Sequence, residues 1–520
     1  MDAVKVDGAF SGHYAVLHVR FTRARHRAIE SDGQAAKIEE VDPMPKQERP
    51  MRRRWRVALL GLSLPLALAS TAQTTDAPDS GAGMLAAEPV LVDVTTERRA
   101  PPVQSPATAV DTMPLASSFD VREFEAMAQA LVAGHRVPGL SMAIVHDGQV
   151  LSMRGYGITD AQAAEPVGQH TVFRLASLSK GFAGTITGLL VSEGALRWDS
   201  RLKDFLPDFR LHDPTASRQL TVADVLSHQV GLPHHTYDRA IEANADYRDL
   251  VRKLYETPLR CDPGECYTYQ NVAFSLIGDV VFAATGHFYS QAVERRIFGP
   301  LGMNDASLGL EGIEASPSWA RPHVRTRSGW VSVNPKPTYY RLAPAAGVNA
   351  SAADMAQWLL AQGGHRPEVL PAPLLATLHE PLVSTPSETR SSSWRRARVS
   401  EAGYGLGFRV YDYAGHRLVY HAGAVQGYRG VIALLPERDL GVAILWNGES
   451  GLPSGLLPTI LDRAIGLSQH QWLSPNVMDD AMLAYRQGLP AGRGISHYEE
   501  PALLPRRAGS DSTTATAAPF

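Results

Sequence analysis

Apolar residues recur along this chain with two different periods, and each period predicts a different kind of element. Residues 139–157, GLSMAIVHDGQVLSMRGYG, hold two apolar runs joined at Asp147 and Gly148, and Asp-Gly between such runs is a strong hairpin signal. Residues 404–423 and 430–447 hold three or four further strand-like runs joined by short turns. Strands from both ends of one region predict a single antiparallel sheet.

The middle of the chain, about residues 178–300, has apolar positions at helical spacing. TVADVLSHQVG, residues 221–231, begins at a threonine cap and stops at a glycine, and residues 271–286 begin at an asparagine and also stop at a glycine. The expected fold class is therefore α+β: an antiparallel sheet flanked by helices, with an all-helical lobe over about residues 195–345. A cleft between the sheet and this lobe is the expected place for a site.

The ends of the chain differ in composition from this region. We expect residues 51–72 to be a signal peptide, because an arginine cluster is followed by about 13 apolar residues and then by small residues. That apolar run is shorter than the roughly 20 residues that span a bilayer, so no stable membrane anchor is expected after cleavage. Residues 1–50 are expected to be a non-native or disordered extension, 73–117 a linker, 118–467 the catalytic domain, and 468–520 a partly disordered C-terminal tail. The expected location is periplasmic or secreted.

Charge and cysteine content exclude some classes of protein. A formal net charge of -3 over 520 residues gives no electrostatic reason to expect a nucleic-acid partner. With only 2 cysteines, no disulfide scaffold carries the fold. Cys261 and Cys266 flank a Pro-Gly turn, and in an exported protein we expect them to form a disulfide, with two buried thiols as the alternative.

The stretch FRLASLSKGF places Ser177 and Lys180 one helical turn apart, so both can point into one pocket. A serine hydroxyl needs a base to become a good nucleophile, and a lysine can serve if burial lowers its pKa. Gly181, Gly184 and Gly188 form a stripe of minimal size on the same helix, which predicts close packing by another element. S-x-x-K is common by chance, so a surface lysine is the alternative.

Two further stretches carry residues of the same chemistry. In CYTYQNVAF, Tyr269 beside a lysine ammonium could lose its proton below its usual pKa and act as a base, while the amide of Asn271 could hold a lysine and a substrate. In YHAGAVQGYRG, the small residues around Gly423 and Ala424, after His421, would let a substrate backbone lie along a strand. Alone, these stretches are equally consistent with a helix cap and an ordinary strand end.

The three stretches together resemble the active-site motifs of the serine β-lactamase and penicillin-binding superfamily. Ser177 to Lys180, Tyr269 to Asn271 and His421 to Gly423 follow one another at separations of about 90 and about 150 residues. Tyr-x-Asn in the second motif is similar to the class C β-lactamase and D-alanyl-D-alanine carboxypeptidase branch. The resemblance covers roughly residues 118–467.

The resemblance implies a role for each matching residue. Ser177 would be the acylated nucleophile, Lys180 would help to activate it, and Tyr269 would be the general base. Asn271 would orient Lys180 and the substrate amide. The backbone N–H groups of Ser177 and Ala424 would form the oxyanion hole.

The third motif departs from that of class C β-lactamases, which have Lys-Thr-Gly where this chain has His421-Ala-Gly423. A histidine is mostly neutral at pH 7, so it attracts a substrate carboxylate more weakly than a lysine does. Efficient β-lactam hydrolysis is therefore not expected.

The expected function is that of an exported serine hydrolase with an acyl-enzyme on Ser177. Its expected partner is a small-molecule or peptide acyl substrate, such as a cell-wall peptide, a β-lactam or a related compound. Two alternatives stay open: a carboxylesterase on the same scaffold and a non-hydrolytic penicillin-binding sensor or scaffold. The sequence leaves the natural substrate and the oligomeric state open.

Other polar clusters suggest less. His228, His234 and His235 lack the spacing of a zinc-binding H-E-x-x-H motif, so no metal is predicted, and no cofactor either. Residues 403–408, GYGLGF, read as a glycine-rich strand rather than a phosphate loop. Residues 390–398, RSSSWRRAR, read as a solvated loop, with contact to an anionic substrate as the alternative.

Overall fold

The computed structural model describes residues 112–163, 165–467 and 471–487, and the backbone alone at 493–495. The predicted extension and signal peptide lie outside the described residues, as do most of the linker and much of the tail. No helix among the described residues is long and apolar enough to cross a membrane.

Fourteen strands are present in the described part of the chain. In chain order they are β1 (Gly139–His146), β2 (Gln149–Gly157), β3 (Phe173–Arg174), β4 (Ser307–Leu308), β5 (His323–Thr326), β6 (Gly329–Ser332), β7 (Val348–Ala350), β8 (Val383–Ser384), β9 (Val399–Tyr404), β10 (Arg409–Tyr413), β11 (His416–Val425), β12 (Tyr428–Leu435), β13 (Leu440–Trp446) and β14 (Arg493–Ile495). Nine of them form one sheet in the order β14-β2-β1-β13-β12-β11-β10-β9-β8. All neighbours in this sheet are antiparallel, and strands from both ends of the region meet where β1 pairs with β13.

The turn between β1 and β2 follows from its two residues. Asp147 has φ 50° and Gly148 has φ 70°, so both lie in the left-handed region that a two-residue hairpin of the primed type requires. The hairpin predicted from Asp-Gly is confirmed.

Helices cover both faces of the sheet and build the second lobe. They are α1 (Val121–Ala133), α2 (Ser179–Ser192), α3 (Leu202–Phe205), α4 (Pro214–Gln219), α5 (Val222–Leu226), α6 (Asp238–Glu242), α7 (Tyr247–Lys253), α8 (Leu276–Thr285), α9 (Tyr289–Val293), α10 (Gly299–Leu301), α11 (Gly309–Glu314), α12 (Ala343–Ala346), α13 (Ala352–Gln362), α14 (Ala372–Leu378), α15 (Ser393–Arg398), α16 (Leu456–Ala464) and α17 (Pro475–Arg486). One apolar cluster joins the inner face of the sheet to α2, α13 and the helical lobe, and a second joins the outer face to α1, α16 and α17.

The lobe differs from the expected all-helical one. β4, β5 and β6 lie inside residues 195–345, and β5 and β6 form a hairpin of their own. The helix expected over residues 271–286 begins five residues later, at Leu276. Asn271 therefore lies in a turn before the helix, where its side chain can face the cleft.

The glycine stripe of α2 lies against other chain segments, as its spacing predicts. A Cβ on Gly184 would run into the backbone carbonyl of Leu406, and one on Gly181 would lie 2.8 Å from the ring of Phe408. The segment between β9 and β10 therefore packs directly on the backbone of α2. This contact buries the first turn of α2, which carries Lys180.

Candidate active site

Ser177 lies on a single 3₁₀ turn, Ala176–Leu178, between β3 and α2. Ala176 has φ 50°, in the left-handed region that costs a non-glycine residue roughly 1–2 kcal/mol. Hydrogen bonds on both sides hold the turn: the Leu175 N–H donates to the Val348 carbonyl at 3.0 Å, and the Val348 N–H donates to Ser179 Oγ at 3.0 Å. The nucleophile candidate is therefore held by a locally strained backbone.

Lys180 is fully buried, and its amine lies among three oxygen atoms. Nζ lies 2.8 Å from Asn271 Oδ1, 3.0 Å from the Ala345 carbonyl oxygen and 3.3 Å from Ser177 Oγ. Among the described residues, none of its hydrogen-bond partners is a carboxylate. Burial lowers the pKa of Lys180 well below its usual value, while the charge of Asp238 opposes this shift.

These contacts fit an ammonium, which would donate to all three oxygens, and they also fit the neutral amine that the lowered pKa favours. Such an amine has two N–H groups, which can donate to Asn271 Oδ1 and the Ala345 carbonyl at the two shorter distances. Its lone pair then faces Ser177 Oγ and can accept the serine proton. Lys180 is thus arranged as a base for Ser177.

Tyr269 approaches the same serine from the second motif, with its hydroxyl 3.1 Å from Ser177 Oγ. Burial raises the pKa of Tyr269 well above its usual value, although the Arg409 guanidinium acts in the opposite direction. This is opposite to the lowered pKa expected from the sequence, because the cost of burying a phenolate outweighs the nearby positive charge. The raised pKa favours a protonated Tyr269, whose hydroxyl can donate to Ser177 Oγ.

The three histidines named from the sequence surround Tyr269. The buried ring of His228 lies 4.2 Å from the ring of Tyr269, and its Nδ1 accepts from the Gln270 N–H at 3.2 Å. His234 Nδ1 accepts from the Tyr269 N–H at 2.9 Å, and the His235 N–H donates to the Tyr269 carbonyl at 2.9 Å. No group of three or more His, Cys, Asp or Glu residues within the described ranges could hold a metal ion.

Asn271 connects Lys180 to a carboxylate that the sequence did not single out. Its Oδ1 accepts from Lys180 Nζ, and its Nδ2 donates to Asp238 Oδ2 at 2.8 Å. Asp238 begins α6 and is 9% exposed. The Asn271 amide therefore accepts a hydrogen bond at its oxygen and donates one from its nitrogen.

The third motif lies on β11 beside the nucleophile. A Cβ on Gly423 would lie 3.2 Å from the Ser177 backbone nitrogen and would run into the Leu175 carbonyl, so only glycine fits this contact. Ala424 follows it and lines the cleft. The oxyanion-hole role of the Ser177 and Ala424 N–H groups stays a prediction.

His421 lies beneath the cleft, and its side chain is 1% exposed. Its Nδ1 donates to the Ala422 carbonyl at 2.8 Å and its Nε2 accepts from the Tyr404 hydroxyl at 3.2 Å. Burial lowers the pKa of His421 well below its usual value, so the ring is neutral. The ring therefore lies behind the cleft surface, and the substrate contact expected of His421 stays a prediction.

The charged residue next to Tyr269 is instead Arg409, which the sequence analysis did not single out. Its guanidinium carbon lies 5.6 Å from the centre of the Tyr269 ring, and its Nη1 lies 2.6 Å from Glu388 Oε1. Burial acts to lower the pKa of Arg409, but Tyr267, Tyr411 and Glu388 around it outweigh burial and raise it. Arg409 is a permanent cation in this site.

The cleft has a volume of about 980 Å³, and Ser177, Tyr269, Asn271 and Ala424 are among its lining residues. The segment read as a solvated loop supplies part of the opposite wall, with Ser391, Ser392, Trp394 and Arg395 lining the cleft. Its Arg395 lies 2.6 Å from Glu388, the same carboxylate that contacts Arg409, so the two guanidinium groups share one negative charge.

Cys261 and Cys266 are joined by a disulfide, and the described residues contain no free cysteine. The loop they close is tied to the segment that carries His228, because the Arg260 N–H donates to the Gly231 carbonyl and the Gly264 N–H to the Gln229 carbonyl. The disulfide thus braces the backbone just before Tyr269.

A serine held between a buried lysine and a tyrosine, at the junction of an antiparallel sheet and a helical lobe, is an arrangement typical of a serine hydrolase. Residues 124–466 match the Beta-lactamase family, and the chain belongs to that family.

Two curated relatives are hydrolases. An unguisins hydrolase of Aspergillus campestris is 26% identical over 347 residues, which cover 65% of this chain and 63% of that protein. The chain thus spans under two thirds of the length of that relative. Esterase EstB of Burkholderia gladioli is 29% identical over 395 residues, covering 66% of this chain and 96% of the esterase.

The fold has counterparts among solved structures. The octameric penicillin-binding protein homologue from Pyrococcus abyssi superposes with a TM-score of 0.59 at 25% identity, covering 66% of this chain and 77% of that one. The mixed helical and antiparallel sheet fold predicted from the sequence is confirmed.

Proposed function

We propose that this chain is a serine hydrolase that forms an acyl-enzyme on Ser177 and hydrolyses a peptide or a related acyl compound. The observation that carries the proposal is the position of Ser177 Oγ, which lies 3.3 Å from Lys180 Nζ and 3.1 Å from the Tyr269 hydroxyl. A nucleophile therefore has a base on one side and a proton donor on the other.

The reaction follows from these two contacts. As Ser177 Oγ attacks the acyl carbon, its proton passes to the neutral amine of Lys180. The negative charge on the acyl oxygen is received by the backbone N–H groups of Ser177 and Ala424. The Tyr269 hydroxyl gives its proton to the leaving group, and the proton now on Lys180 restores the tyrosine. Water then attacks the acyl-enzyme by the reverse sequence of proton transfers.

A carboxylesterase is the second candidate, and the neutral ring of His421 favours it. A third motif without a cation offers less to a substrate carboxylate than the lysine of class C β-lactamases does. The esterase among the relatives, which is covered over 96% of its length, supports the same substrate class.

Turnover assays on Ser177→Ala test the proposal. We expect wild-type protein to hydrolyse a chromogenic ester or a D-alanyl-D-alanine peptide, with little turnover of a labelled penicillin, and Ser177→Ala to lose about 10³-fold or more of the activity. Ser192→Ala is the matched control, because Ser192 lies at the far end of α2 and donates only to the Gly188 carbonyl. Turnover that survives in Ser177→Ala would exclude the mechanism, and stable labelling without turnover would favour the sensor.

Export to an oxidising compartment is part of the proposal. The signal-like pattern of residues 51–72 and the Cys261–Cys266 disulfide both support it. Fractionation of the natural host with N-terminal sequencing tests it: a mature N-terminus near residue 70 in the periplasm or medium is expected, and a cytoplasmic protein that retains this segment would contradict it.

A further inference from the structure

A chain of hydrogen bonds leads from the serine to a residue with no assigned role. Lys180 Nζ contacts Asn271 Oδ1 at 2.8 Å, Asn271 Nδ2 donates to Asp238 Oδ2 at 2.8 Å, and His235 Nδ1 lies 2.8 Å from the same oxygen. The imidazole of His235 is at the solvent end and the amine of Lys180 at the buried end. Asp238 lies between them.

The carboxylate decides which way the amide of Asn271 faces. An asparagine amide has a donor end and an acceptor end of nearly the same shape, and only the acceptor end can receive an N–H of Lys180. Because Asp238 can only accept, it selects the orientation that directs Nδ2 toward itself and Oδ1 toward the lysine. Without it, a reversed amide would direct two N–H groups at the amine.

Asp238 is also the acidic side chain that acts most strongly on the Lys180 amine. Its charge opposes the effect of burial, and Arg409 on β10 acts in the same direction as burial. The remaining titratable side chains around the amine, from the other elements of the site, are His228, His235, Tyr269 and His421. Burial lowers the pKa of His228 and of His421, which favours their neutral forms. Asp238 is therefore the main charge that opposes the effect of Arg409 on the pKa of Lys180.

We infer that Asp238 is a positioning residue for the serine reaction, which holds the Asn271 amide with its oxygen toward Lys180 and places a negative charge one amide away from the Lys180 amine. The inference rests on the proposed function for its effect on turnover, but its effect on Lys180 can be measured without any substrate. His235 caps the carboxylate on the solvent side, where its ring is 58% exposed.

Asp238→Asn separates the charge from the hydrogen bond. The new amide can still accept from Asn271 Nδ2, but the negative charge near Lys180 is gone. The pKa of Lys180 should fall by roughly one to two units, because only the Asn271 amide separates the carboxylate from the amine and a unit charge at that separation is worth at least one unit at a protein-like dielectric. Since Lys180 acts in its neutral form, the acid limb of kcat/KM should move to lower pH by the same amount.

Lysine NMR gives the readout that does not depend on turnover. The sequence contains seven lysines, so ¹³C-labelled lysine gives a simple spectrum, and Lys180→Arg assigns the signal by its loss. The expected result is a lower Lys180 pKa in Asp238→Asn and an unchanged one in the control Asp249→Asn, whose carboxylate is 55% exposed on α7. An unchanged or raised Lys180 pKa in Asp238→Asn would overturn the inference.

Asp238→Ala tests the hydrogen bond. We expect kcat to fall about 10- to 100-fold with a smaller change in KM, and Asp238→Asn to rescue most of this loss at high pH. If the two variants lose kcat equally at every pH, the positioning role is wrong. If wild-type protein shows no Ser177-dependent turnover, the proposed function fails, while the NMR titration still decides the effect of Asp238 on Lys180.

Discussion

Lys180 is fully buried and Arg409 is partly buried near the same tyrosine, and their pKa values are shifted in opposite directions. Lys180 Nζ lies 4.8 Å from the centre of the Tyr269 ring, and the guanidinium carbon of Arg409 lies 5.6 Å from it. The pKa of Lys180 is lowered by burial, whereas that of Arg409 is raised because Tyr267, Tyr411 and Glu388 together outweigh burial. A guanidinium holds its proton far more strongly than an amine, and Arg409 has a direct carboxylate partner in Glu388, whereas the hydrogen-bond partners of Lys180 among the described residues are neutral oxygens.

The largest effect is expected from Lys180→Met, which removes the base and keeps an unbranched apolar side chain in its place. Activity on whichever ester or peptide the wild-type protein hydrolyses should fall about 10³-fold, as for the loss of a general base. Lys253→Met at the exposed end of α7 is the control and should keep wild-type activity. Circular dichroism confirms that both variants are folded, and a folded Lys180→Met protein with near-normal kcat/KM would contradict the role of Lys180.

Glu388→Gln tests how far the stability of the fold depends on the ion pair of Arg409. Glu388 lies 2.6 Å from both Arg409 and Arg395, so the neutral amide would leave the partly buried Arg409 charge without its carboxylate. The free energy of unfolding should fall by about 3 kcal/mol, measured by urea denaturation.

The control for this prediction is Glu437→Gln, which breaks a partly exposed pair with His416 and should cost under about 1 kcal/mol. Equal losses in Glu388→Gln and Glu437→Gln would mean that Arg409 does not depend on Glu388.

The smallest effect is expected from His421→Gln. A neutral His421 contributes no charge to Lys180, so the acid limb of kcat/KM should move by less than about 0.3 pH units. If His421 were protonated, its removal would take away a positive charge, raise the pKa of Lys180 and move the limb to higher pH. A shift of one unit in that direction would show that burial does not keep this ring neutral.

The sequence predicted the parts of the site that lie in recognisable motifs. Ser177, Lys180, Tyr269 and Asn271 do meet in one place, and the glycine stripe of α2 does pack against another segment. These succeed because spacing along a helix and the lack of a side chain are local properties that the sequence displays directly.

Asp238 and Arg409 could not be found in the same way. Arg409 reads as one polar position in an alternating strand, and Asp238 as an acidic residue at the start of a short helix, where such residues are ordinary. The role of Asp238 depends on Asn271 and that of Arg409 on Glu388, and both partners come from other parts of the sequence. The direction of the Tyr269 pKa was missed for a related reason, because burial is set by packing from several elements.

The pH titration of the Lys180 side chain in wild-type protein tests the central claim most directly. ¹³C-lysine NMR should show one lysine, identified by its loss in Lys180→Arg, that is neutral at pH 7 and titrates well below the others. A Lys180 signal that is fully protonated at pH 7 and titrates near the ordinary lysine value of about 10.4 would contradict the account.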